Sequence, residues 1–256
     1  MIRIKTASEI TKIRRACEIS AGSLAAGGRA AKPGATTADV DRAVETYILA
    51  HGGKPNFKGY GGFPAAACVS INDTVIHGIP SKEHVLHEGD IVSIDTGAIV
   101  DGFHGDNAYT FPVGKISEEA ERLLRVTRAS LFEGIKAAID GNRVGDIGHA
   151  VQSFVEAEGF SVVRDFVGHG VGAELHEAPE IPNYGRPGRG ARLTPGMTVA
   201  IEPMINQKGY RIHILPDGWT VKTLDGGLSA HFEHTVLITE NGPEILTPWQ
   251  EDLWSL

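Results

Sequence analysis

A set of residues that recurs at one fixed offset constrains this chain more than any single motif does. Leu86, Gly89, Val92, Ile94 and Asp95 spell L-x-x-G-x-x-V-x-I-acid, and Leu193, Gly196, Val199, Ile201 and Glu202 spell it again, each displaced by 107 positions. The same offset of 107 pairs Ser23 with Ser130, Leu24 with Leu131, Gly34 with Gly141, Asp39 with Asp146, Ala43 with Ala150 and Val44 with Val151. Generic turn-then-strand segments would account for the glycines but not for an acid closing both strands. A repeat of this length predicts two copies of one folding plan packed on each other. The expected arrangement is a single domain over residues 1–256, made of related halves at about 1–114 and 115–256.

Local patterns follow the same plan. Residues 8–31 and 117–139 carry apolar side chains at three- and four-residue spacing, as amphipathic helices do. A second helix is expected in each half, over 37–50 (TADVDRAVETYILA) and 146–157 (DIGHAVQSFVEA), each ending near a glycine stop signal, Gly52 or Gly159. Strands are expected over 65–71, 91–95, 107–113, 161–165, 198–202 and 231–238, which are short and rich in β-branched or aromatic residues. Helix, helix, then a β-rich stretch, written twice, is an α+β plan in which the strands meet at a central sheet.

The segment IVSIDTGAIVDGFHGDNAYTF allows a register to be worked out, because Asp101-Gly102 is a strong two-residue hairpin signal. Centring the turn there puts Asp95 opposite Ala108 and Asp106 opposite Gly97 on one face of the ribbon. The two carboxylates become diagonal neighbours at roughly 7–8 Å, within reach of a shared metal ion, and Gly97 is expected to clear space between them. Glu202 ends an apolar strand, TVAIE, where a carboxylate is costly to bury unless paired or coordinated. Glu233 sits within the strand-like run HFEHTVLIT, on the face opposite Phe232 and His234. Four carboxylates from two hairpins suit a pair of divalent ions whose charge cancels their repulsion. The best candidate for an accompanying imidazole is His169 in FVGHGVG, where the flanking glycines let the backbone bend closely around a ligand.

Other classes of partner and chemistry are disfavoured. The net charge of −8 argues against nucleic acid as the main partner. Cys17 and Cys68 are far apart and form no C-x-x-C pair, so neither a disulfide framework nor a thiolate zinc site is supported, and a reducing, cytoplasmic setting is expected. Charges scattered through MIRIKTASEI are unlike a signal peptide, and no apolar run approaches the roughly 18 residues that span a membrane. GHGVG lacks the spacing of a dinucleotide loop, and no H-E-x-x-H occurs. Eight of the eleven histidines, among them His51, His104, His149 and His234, receive no role. Arg186, Arg189 and Arg192 are read as a solvated Gly/Pro-rich turn.

Taken together, HGIP at His77, IDTGAIVDGFHGDNAYTF, FVGHGVGAELHEAP, VAIEPMI and HFEHT resemble the methionine aminopeptidases, over nearly the whole chain and in the family's order. Without a cysteine-rich extension or a long insertion in the second half, the chain is similar to the short bacterial subtype of type I. The resemblance implies the pseudo-two-fold "pita-bread" (creatinase/aminopeptidase) fold. It implies two divalent ions (Co, Mn, Fe or Zn): Asp95 would ligate one, His169 and Glu202 the other, and Asp106 and Glu233 would bridge them. A hydroxide bridging the ions would attack the scissile carbonyl, with Glu202 as the acid-base group. In the family pattern His176 meets the carbonyl oxygen and His77 the substrate amide, while Phe57, Tyr60, Phe63, Cys68, Leu175 and Trp219 enclose the methionine side chain. The implied substrate is the N-terminal methionine of nascent polypeptides with a small second residue. A monomer is expected, with the ribosome as a further candidate partner and neither membrane nor specific nucleic acid.

Three rivals stand beside this reading. A proline-specific peptidase of the same fold would share all five metal ligands, although such relatives usually carry a large N-terminal domain. A metal-free peptide-binding module would keep the fold with ligands replaced, whereas all five are present here. A di-metal phosphoesterase would need basic phosphate-binding residues near the ligands, and none is evident.

Overall fold

The computed structural model describes residues 2–249 and Leu253. The first half runs α1 (Ala7–Ala30), α2 (Thr37–Ala50), β1 (Lys54–Pro55), β2 (Ala67–Ile71), β3 (Thr74–Ile76), β4 (Ile91–Val100) and β5 (Phe103–Pro112). The second runs α3 (Glu118–Ala137), α4 (Val144–Ala157), β6 (Ser161–Val162), β7 (Gly168–Gly170), β8 (Glu177–Ile181), β9 (Thr198–Ile201) and β10 (Met204–Asn206). It continues through β11 (Ile212–Ile214), β12 (Val221–Thr223), β13 (Ser229–His231), β14 (His234–Thr239) and β15 (Gly242–Ile245). All four expected helices are present within a few residues of their expected bounds.

The offset of 107 reappears in the geometry. Gly34 and Gly141 turn the chain at φ 89° and 90°, and Gly89 and Gly196 at 95° and 88°, values that favour glycine. The second helix of each half starts in the same way: the Thr36 amide donates to the Asp39 carboxylate at 2.9 Å, and the Arg143 amide to Asp146 at 2.7 Å. In each half a helical glycine lets the two helices close up. A Cβ on Gly27 would come within 2.9 Å of Val44, and one on Gly134 within 2.8 Å of Val151. Isolated bridges tie Thr36 to Val85 and Arg143 to Arg192, again 107 apart. One apolar core crosses the seam, with Leu24, Val44, Ile94 and Phe111 from the first half and Leu131, Val151, Ile201 and Phe232 from the second.

The strands do not join one central sheet. Among the described residues their hydrogen bonds form four sheets, the largest of them β15-β14-β9-β7-β8, with β4 flanked by β2, β1 and β5 in another. The hairpin register is the expected one, Asp95 opposite Ala108 and Gly97 opposite Asp106, and Asp101 and Gly102 take φ of 48° and 77° at its tip. The expected strand over 231–238 is broken: β13 stops at His231 and β14 starts at His234, leaving Phe232 and Glu233 between them. The reason is a change of partner. Glu233 turns its amide to the Ala108 carbonyl of β5 at 2.9 Å, while β13 pairs with β10 and β14 with β9. Thr235 fixes the same seam, donating its hydroxyl to the Asp106 carbonyl at 2.8 Å and accepting from the Asp106 amide at 3.2 Å.

Candidate metal centre and substrate cavity

The seam between β5 and residues 233–235 brings the acids together. Asp106 stands in the middle of β5 and Glu233 at the break between β13 and β14. Asp95 comes from β4, Glu202 follows β9, and His169 lies in β7. Ligating atoms of Asp106, His169 and Glu233 all lie within 4.8 Å of one another. The His169 Nε2 atom is 3.9 Å from Asp106 Oδ2 and 3.4 Å from Glu202 Oε1. Asp106 and Glu233 are almost fully buried, while Asp95 and Glu202 keep slight access to the cavity.

The glycines beside His169 serve neighbouring strands rather than a bend around a ligand. A Cβ on Gly168 would come within 2.3 Å of the Ala200 carbonyl, and one on Gly170 within 2.6 Å of Ala178. Their absence lets β7 lie between β8 and β9. The space above Gly97 is likewise taken by Asn56, whose amide nitrogen would sit 2.1 Å from a Cβ there, so the glycine makes room for a side chain rather than for an open gap between the aspartates.

Electrostatically the cluster is incomplete without cations. Burial raises the carboxyls of Asp95, Glu202 and Glu233 well above their ordinary range, and repulsion among these acids adds to it. Burial raises Asp106 to about 7 against the opposing hydrogen bond from the Asn107 backbone. Asp95 Oδ1, Asp106 Oδ1 and Glu233 Oε1 are buried and have no hydrogen-bond partner among the described residues. The imidazole is arranged for the same purpose. Its Nδ1–H donates to the Gly170 carbonyl at 2.9 Å, which leaves the Nε2 lone pair facing the oxygens of Glu202 and Asp106. Burial, with His176 adding to it, lowers the His169 pKa to about 3, so the ring is neutral. A lone pair aimed at carboxylate oxygens is unfavourable unless a proton or a metal ion lies between them. The residues therefore fit divalent metal ions, and oxygen donors with one nitrogen suit hard or borderline ones.

All the residues singled out from sequence line one cavity of about 270 Å³. At its apolar end Phe57, Phe63, Cys68 and Leu175 are buried together, with Trp219 packed against them. Burial, with Asp95 adding to it, holds the Cys68 thiol well above its ordinary pKa, as befits a wall rather than a nucleophile. His77 takes a left-handed φ of 57°, costly for a residue with a side chain, and its ring stands edge-on to Phe166 and Trp219. Burial, then His176, lowers the His77 pKa to about 4; burial, then His104, lowers that of His176. His176 stacks obliquely on His169 with ring centroids 4.2 Å apart.

Ile76, Phe166 and Val167 also line the cavity and escaped the sequence reading. His231, one of the histidines given no role, also escaped it: outside the cavity lining, it is buried with Nε2 3.6 Å from Glu202 Oε2. Its place two residues before Glu233 was the available signal. His234, by contrast, points to Thr247 at 3.0 Å and takes no part.

A buried acid cluster with one bare imidazole nitrogen, opening onto an apolar cavity between two repeated halves, defines a metal-dependent hydrolase of the pita-bread fold. The model of metallopeptidase family M24 matches residues 11–240, and the chain belongs to that family. A methionine aminopeptidase of Clostridium acetobutylicum is 56% identical over 247 residues, which cover 96% of this chain and 99% of that one. The crystal structure of a methionine aminopeptidase from Thermotoga maritima superposes with a TM-score of 0.95 at 52% identity, covering 96% and 99% of the two chains. Within family M24 the chain is accordingly a member of the methionine aminopeptidases. A prolidase from Pyrococcus furiosus shares the fold at a TM-score of 0.80 and 26% identity, but the match covers only 66% of that longer chain.

Proposed function

We propose that the chain removes the N-terminal methionine of nascent polypeptides whose second residue is small, acting as one catalytic domain built of two related halves. The observation that carries this reading is the shared cavity: the acid cluster forms one end and the sulfur- and aromatic-lined pocket the other. A substrate whose first side chain fills the pocket would present its amine and first peptide bond to the acids. Sulfur–aromatic contacts with Phe57, Tyr60, Phe63 and Trp219 favour methionine over branched side chains.

Asp95, Asp106, His169, Glu202 and Glu233 would hold two divalent ions, drawn from Mn, Fe, Co and Zn. When bound, such ions supply acidified water as a nucleophile at neutral pH and polarisation of the scissile carbonyl. The chain's own residues do the rest. Glu202, at the edge of the cluster and reachable from the cavity, takes a proton from the attacking water and returns it to the leaving amine. His176, neutral and on the cavity wall, donates its N–H to the carbonyl oxygen as charge develops there. His77, held rigidly by its strained backbone, contacts the substrate amide. The protein would work as a cytoplasmic monomer, with recruitment to the ribosome as a further expectation. No helix among the described residues is long and apolar enough to cross a membrane.

Hydrolysis of Met-Ala-Ser and Ala-Pro-Ala by metal-supplied protein, beside Glu202→Ala, tests the reading. Release of methionine from the first peptide alone, abolished in the variant, is expected. Cleavage of Ala-Pro-Ala alone would move the chain to the proline-specific peptidases, and inertness towards both would favour a binding module.

A further inference from the structure

His231 is not among the groups used above, yet its placement is specific. It ends β13, where Met204 of β10 is its cross-strand partner. Thr110 of β5 clamps its backbone from the other side: the His231 amide donates to Thr110 Oγ1 at 2.9 Å, and that hydroxyl donates to the His231 carbonyl at 2.9 Å. Thr110 is itself braced by Ser93 at 2.8 Å. The imidazole therefore projects from a doubly fixed backbone. Its side chain is 2% exposed, and Nε2 has no hydrogen-bond partner among the described residues. The charged group it faces is Glu202, with Nε2 3.6 Å from Oε2, just beyond hydrogen-bond length. The other Glu202 oxygen, Oε1, faces His169 at 3.4 Å. Glu202 thus lies between two imidazoles that play opposite parts. His169 has given its hydrogen to Gly170 and offers Glu202 a lone pair, whereas His231 Nε2 has no hydrogen-bond partner among the described residues and faces Glu202 Oε2.

We propose that His231 is a positioning residue for Glu202: its Nε2–H donates to Oε2, fixing the carboxylate so that Oε1 stays turned towards His169 and the metal centre. The inference rests on the reading of Glu202 as a ligand and proton carrier. A buried N–H left without an acceptor is costly, and Glu202 Oε2, 3.6 Å away, is the carboxylate oxygen that this nitrogen faces. Groups that orient a metal-binding carboxylate in this way typically change metal affinity about 10- to 100-fold when removed.

The test uses the full chain and Co²⁺. His231→Leu removes the donor, and His231→Gln keeps an N–H at similar reach. For His231→Leu we expect Co²⁺ binding, measured by calorimetry, to weaken about 10- to 100-fold. The visible absorption of the bound Co²⁺ should shift, and kcat for Met-Ala-Ser should fall at saturating metal with KM little changed. His231→Gln should recover affinity and spectrum to near wild type. Should His231→Leu not fold, His231→Met, similar in volume and equally without a donor, takes its place. Co²⁺ affinity and spectrum unchanged in the apolar variant, or Gln as impaired as Leu, would overturn the proposal. Glu202→Gln separates the two readings. If Glu202→Gln binds Co²⁺ like wild type, Glu202 is not a ligand at all; if it loses binding while His231→Leu does not, only the role of His231 fails.

Discussion

The Tyr60 hydroxyl stands 2.7 Å from Nδ1 of His176, joining two residues of the cavity wall. The phenol is a donor that reaches Nδ1, and a neutral imidazole that accepts there carries its own hydrogen on Nε2, the nitrogen left for the cavity. With the phenol as donor, Tyr60 would set the tautomer in which His176 can donate from Nε2. Tyr60→Phe keeps the ring and removes that control. Its kcat for Met-Ala-Ser should fall about fivefold, the worth of about 1 kcal/mol, with KM within about twofold. His176→Ala should lose about 100- to 1000-fold in rate while keeping its metal content. A raised KM with unchanged kcat in Tyr60→Phe would make the tyrosine a pocket wall and nothing more.

Gly105 precedes Asp106 on β5, directly under helix α1. A Cβ there would lie 2.4 Å from the Cys17 amide nitrogen and 2.6 Å from the Ala16 carbonyl carbon, both backbone atoms that cannot step aside. Gly105→Ala should therefore lower stability by about 3 kcal/mol, near the upper end for overpacked sites. The midpoint of urea unfolding reads this directly, and an unchanged midpoint would show that α1 can lift from the sheet without penalty.

Lys5 and Glu177 pair at 2.8 Å with both side chains nearly buried, tying the segment before α1 to β8 beside His176. Burial alone would raise the Glu177 carboxyl, but Lys5, the Glu174 amide and Arg3 together outweigh it and the net shift is downward from 4.5. A carboxyl lowered in the folded state stabilises above its unfolded value and stops doing so as the pH falls through the lowered one. Glu177→Gln should thus cost about 3 kcal/mol at pH 7, as expected when one partner of a buried pair is removed. The gap between variant and wild type should shrink as the pH drops below about 4.5. A gap constant from pH 7 to pH 3 would contradict the pairing.

Much of this was written in local patterns. The offset of 107 marks equivalent turns and caps because the same φ at Gly34 and Gly141, and the same amide–carboxylate cap at Asp39 and Asp146, are needed in both halves. The Asp95–Asp106 diagonal followed from one turn, since Asp101-Gly102 leaves a two-residue hairpin a single register. Features that depend on distant contacts were not legible. Nothing local shows that the run from His231 would break at Phe232, because the break answers to the Ala108 carbonyl on another strand. Gly97 looked like a gap because Asn56, which fills it, comes from a loop far upstream in sequence. The role of His231 stayed hidden because it depends on Glu202, 29 positions away in sequence.

The most direct test is a count of metal against activity. Metal-stripped protein would be titrated with Mn²⁺ or Co²⁺ in equilibrium dialysis while Met-Ala-Ser hydrolysis is followed, beside Asp106→Asn. The expected result is binding of two ions per chain, methionine release that appears only with metal, and loss of both in Asp106→Asn. Hydrolysis by the metal-free protein, or an Asp106→Asn variant that binds metal and turns over like wild type, would contradict the assignment of this acid cluster as the metal centre.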